Sequence, residues 1–132
     1  MEAFWPGKLT IIFPAKETVP GILTGNTGKI GIRLPEHPVA VALVRALKTP
    51  LTATSANRSG KPGVFRIRDL DAAFLKKADL ILDAGDLKGG AGSTVVDVTK
   101  DPPQVLREGE ISEKELSEAL ASVHFNRVDK KK

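Results

Sequence analysis

The sequence predicts a mixed, twisted β-sheet with helices, an α/β (α+β) arrangement, on three observations. Short β-branched runs recur between glycine and proline breakers. Longer segments carry apolar residues at helical spacing. Neighbouring strands are joined by connections short enough for hairpins, which excludes a purely parallel sheet. With 132 residues, 41% hydrophobic and 27% charged, the chain has the length and balance to bury one core and not to be disordered.

Taken in order, Phe4-Trp5-Pro6-Gly7 is a bulky turn and Leu9-Thr10-Ile11-Ile12-Phe13 is a strand by β-branched content. Residues 16–28 read as a loop, broken by Pro20, Gly21, Gly25 and Gly28. Residues 29–34 alternate with period two and form a second strand. Pro35 and Pro38 bracket a turn that opens a helix over Pro38–Leu47, with Val39, Ala42, Leu43 and Ala46 on its inner face. Pro50 stops it, and residues 51–54 are a short strand leading into the polar stretch 55–63. A helix is expected over 69–78 with Leu70, Ala73 and Phe74 inward, then a buried strand over 80–82 and a glycine-rich loop over 83–92. Strands follow over 94–98 and 104–106, antiparallel if Asp101-Pro102-Pro103 makes the turn. The last helix, 112–122, starts at Ser112 as N-cap with Glu115 at the capping-box position.

Composition removes several classes. Zero cysteines exclude disulfides and thiolate ligands, and His37 and His124 are too few and too far apart for zinc. No apolar run approaches the roughly 18 residues of a membrane helix. The segment from Met1 to Trp5 holds Glu2 and no basic stretch, unlike a signal peptide. The expected address is the cytoplasm, with no membrane partner. The domain is expected over 1–123, followed by a basic tail over 124–132. Residues 127–132 hold four basic groups and one acid, so +3 of the net +4 sits there. Such a tail reads as a solvated end, with weak contact to RNA phosphates as the other reading.

The chemistry-bearing stretches lie around strand ends. Ser55 to Gly63 (S-A-N-R-S-G-K-P-G) supplies hydroxyls, an amide and two cations, Arg58 and Lys61, beyond the carboxyl end of a strand. It suits an anion; the alternative is a solvated turn with an Asn cap. Gly89 to Thr94 (G-G-A-G-S-T) could bring backbone N–H groups to an anion, or be an ordinary glycine loop. Alternation turns Arg33 away from Ile30 and Ile32, so its first reading is a solvent-facing arginine, and Arg107 has the same ambiguity. Gly25-Asn26-Thr27-Gly28-Lys29 fails as a phosphate loop, because Leu23 stands where glycine is required and Ile30 where Ser or Thr is. There is no Ser-His-Asp order, carboxylate pair or metal spacing; Asp83, Asp86 and Asp97 could hold magnesium indirectly, but nothing in their spacing demands it. These residues alone give an α/β domain with a candidate anion site.

Together, however, the segments resemble the YrdC-type threonylcarbamoyl-AMP synthase family, in the same order and at similar spacing. Phe4-Trp5-Pro6-Gly7 with Leu9-Thr10 matches F-W-P-G-x-L-T, with Lys8 where proline is usual. Arg33, Pro35, His37 and Pro38 match R-x-P-x-H-P, and Ser55-Ala56-Asn57 with Ser59-Gly60 matches S-A-N-x-S-G. Ser93 to Asp97 and Leu106 to Gly109 match S-T-[IV]-V-D and L-R-x-G. The resemblance implies a mixed sheet around a concave cleft, and condensation of L-threonine, bicarbonate and ATP into threonylcarbamoyl-adenylate and pyrophosphate. A tRNA threonylcarbamoyltransferase machinery then acts on adenosine 37 of tRNA. It implies Ser55, Asn57 and Arg107 at ATP, with Lys29 and Gly63 lining nearby, and Arg33, Ala53 and Ser93 at threonine. Lys29 departs from the family, where a small hydroxyl residue is common. The chemistry implied is positioning and electrostatics, with no covalent nucleophile and with magnesium on the phosphates.

The family's P-T-[DE]-T-x-[GA]-[LIV] and K-x-R motifs, which precede F-W-P-G, do not occur here, and Arg66-Ile67-Arg68 follows S-A-N and cannot replace them. The chain is therefore expected to be an incomplete, inactive piece of the enzyme that self-associates or takes a companion N-terminal segment. The alternative is a non-catalytic RNA-binding or interaction module of the same fold. A hydrogenase-maturation carbamoyltransferase is disfavoured, since no zinc-finger or acylphosphatase-like segment is present.

Overall fold

A computed structural model describes residues 3–57, 63–120 and the backbone of 126–127, and divides the chain into two units, Met1–Glu36 with Gly90–Lys132, and His37–Gly89. The first unit is a five-stranded sheet formed by β1 (Leu9–Pro14), β2 (Lys29–Arg33), β3 (Thr94–Asp97), β4 (Gln104–Arg107) and β5 (Asn126–Arg127). Its order is β2-β1-β3-β4-β5. β1 runs antiparallel to β2 and parallel to β3, β4 runs antiparallel to β3, and β5 parallel to β4. The mixed sheet is the one the sequence predicts.

Register divides this sheet into two chemically different faces, because residues opposite one another across a ladder share a face. Leu9 pairs with Thr94, Ile11 with Ile32 and Val96, and Val96 with Val105. On that face Leu9, Ile11, Val96 and Val105 form the core with Leu116, and Phe4, Trp5, Phe13 and Ile111 pack around it. The Phe4 to Gly7 turn is thereby explained. Trp5 meets Phe13 edge-on at 6.5 Å and donates its indole N–H to the Leu9 carbonyl at 2.8 Å.

Leu116 comes from α4 (Glu113–Ala119), which starts as predicted. The Ser112 hydroxyl accepts from the Glu115 N–H at 3.2 Å, while the Ser112 N–H donates to the Glu115 carboxylate at 2.8 Å. The Ser112 hydroxyl also donates to that carboxylate at 2.6 Å, and this bond, followed by the one from the Ser112 N–H, holds the Glu115 carboxyl below its ordinary range. Leu116 is 1% exposed, and its burial contributes roughly 2 kcal/mol.

Several elements differ from the sequence expectation. The 16–28 loop contains a single helical turn, α1 (Gly21–Thr24). Two residues of the tail, Asn126–Arg127, join the sheet as β5 beside β4 instead of being simply solvated. In the second unit α2 (Pro38–Leu47) has the predicted ends, but Ala40, Val41, Leu43 and Val44 are its half-buried residues, while Val39, Ala42 and Ala46 are exposed. The expected strand at 51–54 is unpaired; extended residues make a strand only where a ladder partner exists. The helix expected over 69–78 shortens to a 3-10 turn (Ile67–Asp69) and α3 (Ala72–Leu75). Asp71 causes the break, accepting the Ala73 N–H at 2.8 Å as N-cap, and Phe74 lies exposed while Leu70 and Leu75 are half-buried. Residues 80–82 form no strand and are exposed, Leu80 at 73%. Asp83 turns the chain just after them by accepting the Gly85 N–H at 2.8 Å. No helix among the described residues is long and apolar enough to cross a membrane.

Candidate functional site

The second face of the sheet is polar. Thr10, Lys29, Arg33, Val95 and Asp97 lie on it by register, since Thr10 pairs with Arg33 and Val95, and Ile12 with Asp97 and Gly31. Arg107 would not join them by alternation, because Val105, two residues earlier, lies in the core. A register shift between Val95 and Val96 moves it: Val96 pairs with Val105, but Val95 pairs with Arg107. This β-bulge re-aims the arginine to the polar face.

There the Arg107 guanidinium is fixed on Ser93. Its Nε and Nη2 donate to the Ser93 carbonyl at 3.1 and 2.7 Å, and Nη2 also reaches the Ser93 hydroxyl at 3.1 Å. That hydroxyl lies 2.9 Å from the Thr10 hydroxyl. Among the described residues nothing engages Nη1, so the head is oriented with donors to spare. Arg33 is tied by Nε alone, which donates to the Gly7 carbonyl at 2.9 Å. Arg33 is exposed, as alternation suggests, but tethered through this bond, and its terminal nitrogens have no partner among the described residues.

The loop after β4 fixes this arrangement from behind. The Thr94 hydroxyl, fully buried, donates to the Ile111 carbonyl and accepts the Gly109 and Ile111 N–H groups at 2.9 and 3.2 Å. Gly109 approaches so closely that a Cβ there would collide with the Gly92 carbonyl oxygen. Gly92 itself sits at φ +76°, a conformation that favours glycine, and its carbonyl accepts the Glu110 N–H at 2.9 Å. Lys8, at the position where the sequence departs from F-W-P-G-P, pairs with Glu110.

Lys29 is engaged as well. Its ammonium donates to Asp97 Oδ2 at 2.8 Å, and Asp97 Oδ1 accepts from the Thr99 N–H at 2.8 Å and hydroxyl at 2.6 Å. Burial pushes the Asp97 carboxyl up, but the Lys29 and Thr99 hydrogen bonds with the Lys29 charge outweigh it and hold its pKa at about 2.

Of the residues singled out by sequence, Lys29, Arg33, Ser93 and Arg107 therefore share one face of the first unit. Ala53, Ser55, Asn57 and Gly63 belong to the second unit, Ala53, Ser55 and Gly63 exposed and Asn57 half-buried. Arg58, Ser59, Gly60 and Lys61 lie outside the described residues. The second unit also holds a cleft of about 370 Å³, lined mainly by apolar groups including Val39, Leu43, Phe65 and Leu70, with Ala56 of the S-A-N element. Thr10 and the engaged role of Asp97 were missed. Period-two counting from Ile11 would have placed Thr10 opposite the core.

The motifs, the mixed sheet and the paired arginines define a class, and comparison with known proteins gives it a family. The Sua5/YciO/YrdC family model, described as "Telomere recombination", matches residues 1–109, and the chain belongs to that family. It is 35% identical over 125 residues to the threonylcarbamoyl-AMP synthase of Pyrococcus abyssi, covering 95% of this chain and 37% of that protein. It is 34% identical over 128 residues to the enzyme of the same name from Bacillus subtilis, covering 96% and 37%. The fold matches the crystal structure of P. abyssi Sua5 complexed with L-threonine with a TM-score of 0.86, at 34% identity over 95% of this chain and 37% of that one. It matches Escherichia coli YciO with a TM-score of 0.71, at 34% identity over 80% of this chain and 52% of that one. The chain thus spans 37% of the length of the first two relatives.

Proposed function

We propose that this chain carries part of the substrate site of a threonylcarbamoyl-AMP synthase acting in tRNA adenosine modification. The reaction joins L-threonine, bicarbonate and ATP. The threonine amine and bicarbonate form a carbamate with loss of water, and a carbamate oxygen attacks the α-phosphorus as the bond to pyrophosphate breaks. The observation that carries this reading is the pair of arginines on one sheet face, Arg107 anchored on Ser93 and Arg33 on Gly7, each with terminal donors to spare. Phosphate and carboxylate are the anions such forks bind. In this reading Arg107, Ser55 and Asn57 hold ATP with Lys29 and Gly63 lining its site, and Arg33, Ala53 and Ser93 hold threonine. The relatives' names and the L-threonine bound to P. abyssi Sua5 support it.

The chain's part is positioning and charge neutralisation, with no covalent nucleophile. Among the described residues no three carboxylates or histidines converge, and both oxygens of Asp97 are taken by Lys29 and Thr99. The described residues thus do not fit a resident metal, and magnesium enters this reading only as part of the ATP substrate. In this reading the product passes to a tRNA threonylcarbamoyltransferase, and the setting is cytoplasmic.

A second reading, a non-catalytic interaction or RNA-binding module, is favoured by one observation: Leu80, Ile81, Leu82 and Leu87 are all exposed in the second unit. An NMR titration with a non-hydrolysable ATP analogue separates the two. The synthase reading expects Ser55, Asn57, Ser93 and Arg107 to shift together. Shifts confined to residues 127–132 would overturn it and leave electrostatic binding by the tail.

A further inference from the structure

Resting on that reading, we propose that Thr10 is a positioning residue that fixes the Ser93 hydroxyl as a hydrogen-bond donor toward the carboxylate of a bound amino acid. The Ser93 side chain is nearly buried, and its hydroxyl has one proton and two acceptor sites. Arg107 Nη2 fills one acceptor site from 3.1 Å. The contact that remains is Thr10 Oγ1 at 2.9 Å, in which either oxygen can donate. When Thr10 donates, both acceptor sites of Ser93 are filled and its proton is free for a ligand. When Ser93 donates instead, that proton is consumed and Ser93 offers the ligand only oxygen lone pairs, which repel an anion.

Placement supports the first arrangement. Thr10 is on the middle strand, with Arg33 directly opposite it on β2 and Val95 opposite it on β3. A carboxylate lying over Thr10 is flanked by the Arg33 terminal nitrogens on one side and by Ser93 on the other. Two donors into Ser93, one of them charged, polarise its O–H toward that carboxylate. Thr10 therefore acts through Ser93 and need not touch the ligand. The same link joins a threonine-site residue, Ser93, to an ATP-site residue, Arg107.

The test is calorimetric titration of the whole chain with L-threonine and with L-threoninamide, in which the carboxylate is replaced. T10V keeps the shape and loses the hydroxyl, and should weaken L-threonine binding about tenfold, the loss expected for a hydrogen bond serving a charged group. T10S should restore it. In an S93A background T10V should add nothing, and L-threoninamide should be insensitive to all three changes. T10A reads the same loss if T10V does not fold. Wild-type affinity in T10V, or a T10S variant as weak as T10V, assigns Thr10 to packing alone and overturns the proposal while the synthase reading stands. A folded wild-type chain that gives no response to L-threonine overturns both.

Discussion

Thr94→Val should show how much of the candidate site depends on one buried hydroxyl. The substitution keeps the shape and removes an oxygen that makes three hydrogen bonds, one donated to the Ile111 carbonyl and two accepted from Gly109 and Ile111. Each buried polar group left unpartnered costs roughly 1–3 kcal/mol. Gly109 and Ile111 are only half-buried and recover part of that from water, so the sum is about 3 kcal/mol. With a urea dependence of about 2 kcal/mol per molar for a small domain, the midpoint should fall by roughly 1.5 M. Trp5 is the single tryptophan and packs on the core, so its fluorescence reports the transition directly. Hydrogen exchange adds the local readout, with the Gly109 amide losing protection ahead of the strands. An unchanged midpoint together with unchanged Gly109 exchange would refute the claim that Thr94 fastens the loop behind Arg107.

Gly109→Ala should cost more than a surface change of the same size, on the order of 3 kcal/mol, because the new Cβ meets backbone at Gly92, Ser93 and Thr94, which cannot swing aside; a thermal midpoint equal to that of the parent would contradict this. The Asp97 carboxyl has a folded pKa of about 2 against 3.8 without its partners, so its contribution is fully present above pH 3.8 and is lost as pH falls through 2. That contribution is at most about 2.5 kcal/mol, from the roughly 1.36 kcal/mol carried by each pKa unit. Urea midpoints of wild type should therefore drop between pH 4 and pH 2 more steeply than those of Asp97→Asn, and parallel curves would count against the pairing with Lys29 and Thr99.

The elements legible in the sequence are those whose cause is local. Pro38 fixes the start of α2, and the Ser112–Glu115 box fixes the start of α4, where four residues decide the geometry. β-branched content gives β1, and period-two alternation gives β2. Residues 51–54 and 80–82 carry strand-like composition but no partner, and pairing is a property of distant chain that composition does not hold. β5 is the converse, two residues of a polar tail that pair with β4. The helix expected from Asp69 starts only after Asp71, which caps α3 by accepting the Ala73 N–H. At the site, the types and spacing of Ser55 to Gly63 pointed to an anion, whereas Arg33 and Arg107 stood out only through the family resemblance.

Arg107 shows why a regular pattern cannot find such a residue. Counting by twos from buried Val105 sends its side chain into the core among Leu9, Ile11 and Leu116, where an unpaired guanidinium would cost several kcal/mol. Counting from Val95 sends it to the polar face beside Ser93. Both counts are correct for their own strand, and they conflict by one residue. The conflict is resolved by the β-bulge, which absorbs the extra residue between Val105 and Arg107 opposite a single step of β3. A whole-strand slip of one residue would have exposed Val105 as well. Confined to the strand's end, the slip reverses the arginine alone, and the Thr94–Gly109 contacts hold the chain there. The polar face thus acquires its second arginine through a local failure of sheet regularity, at a position where the core face loses nothing.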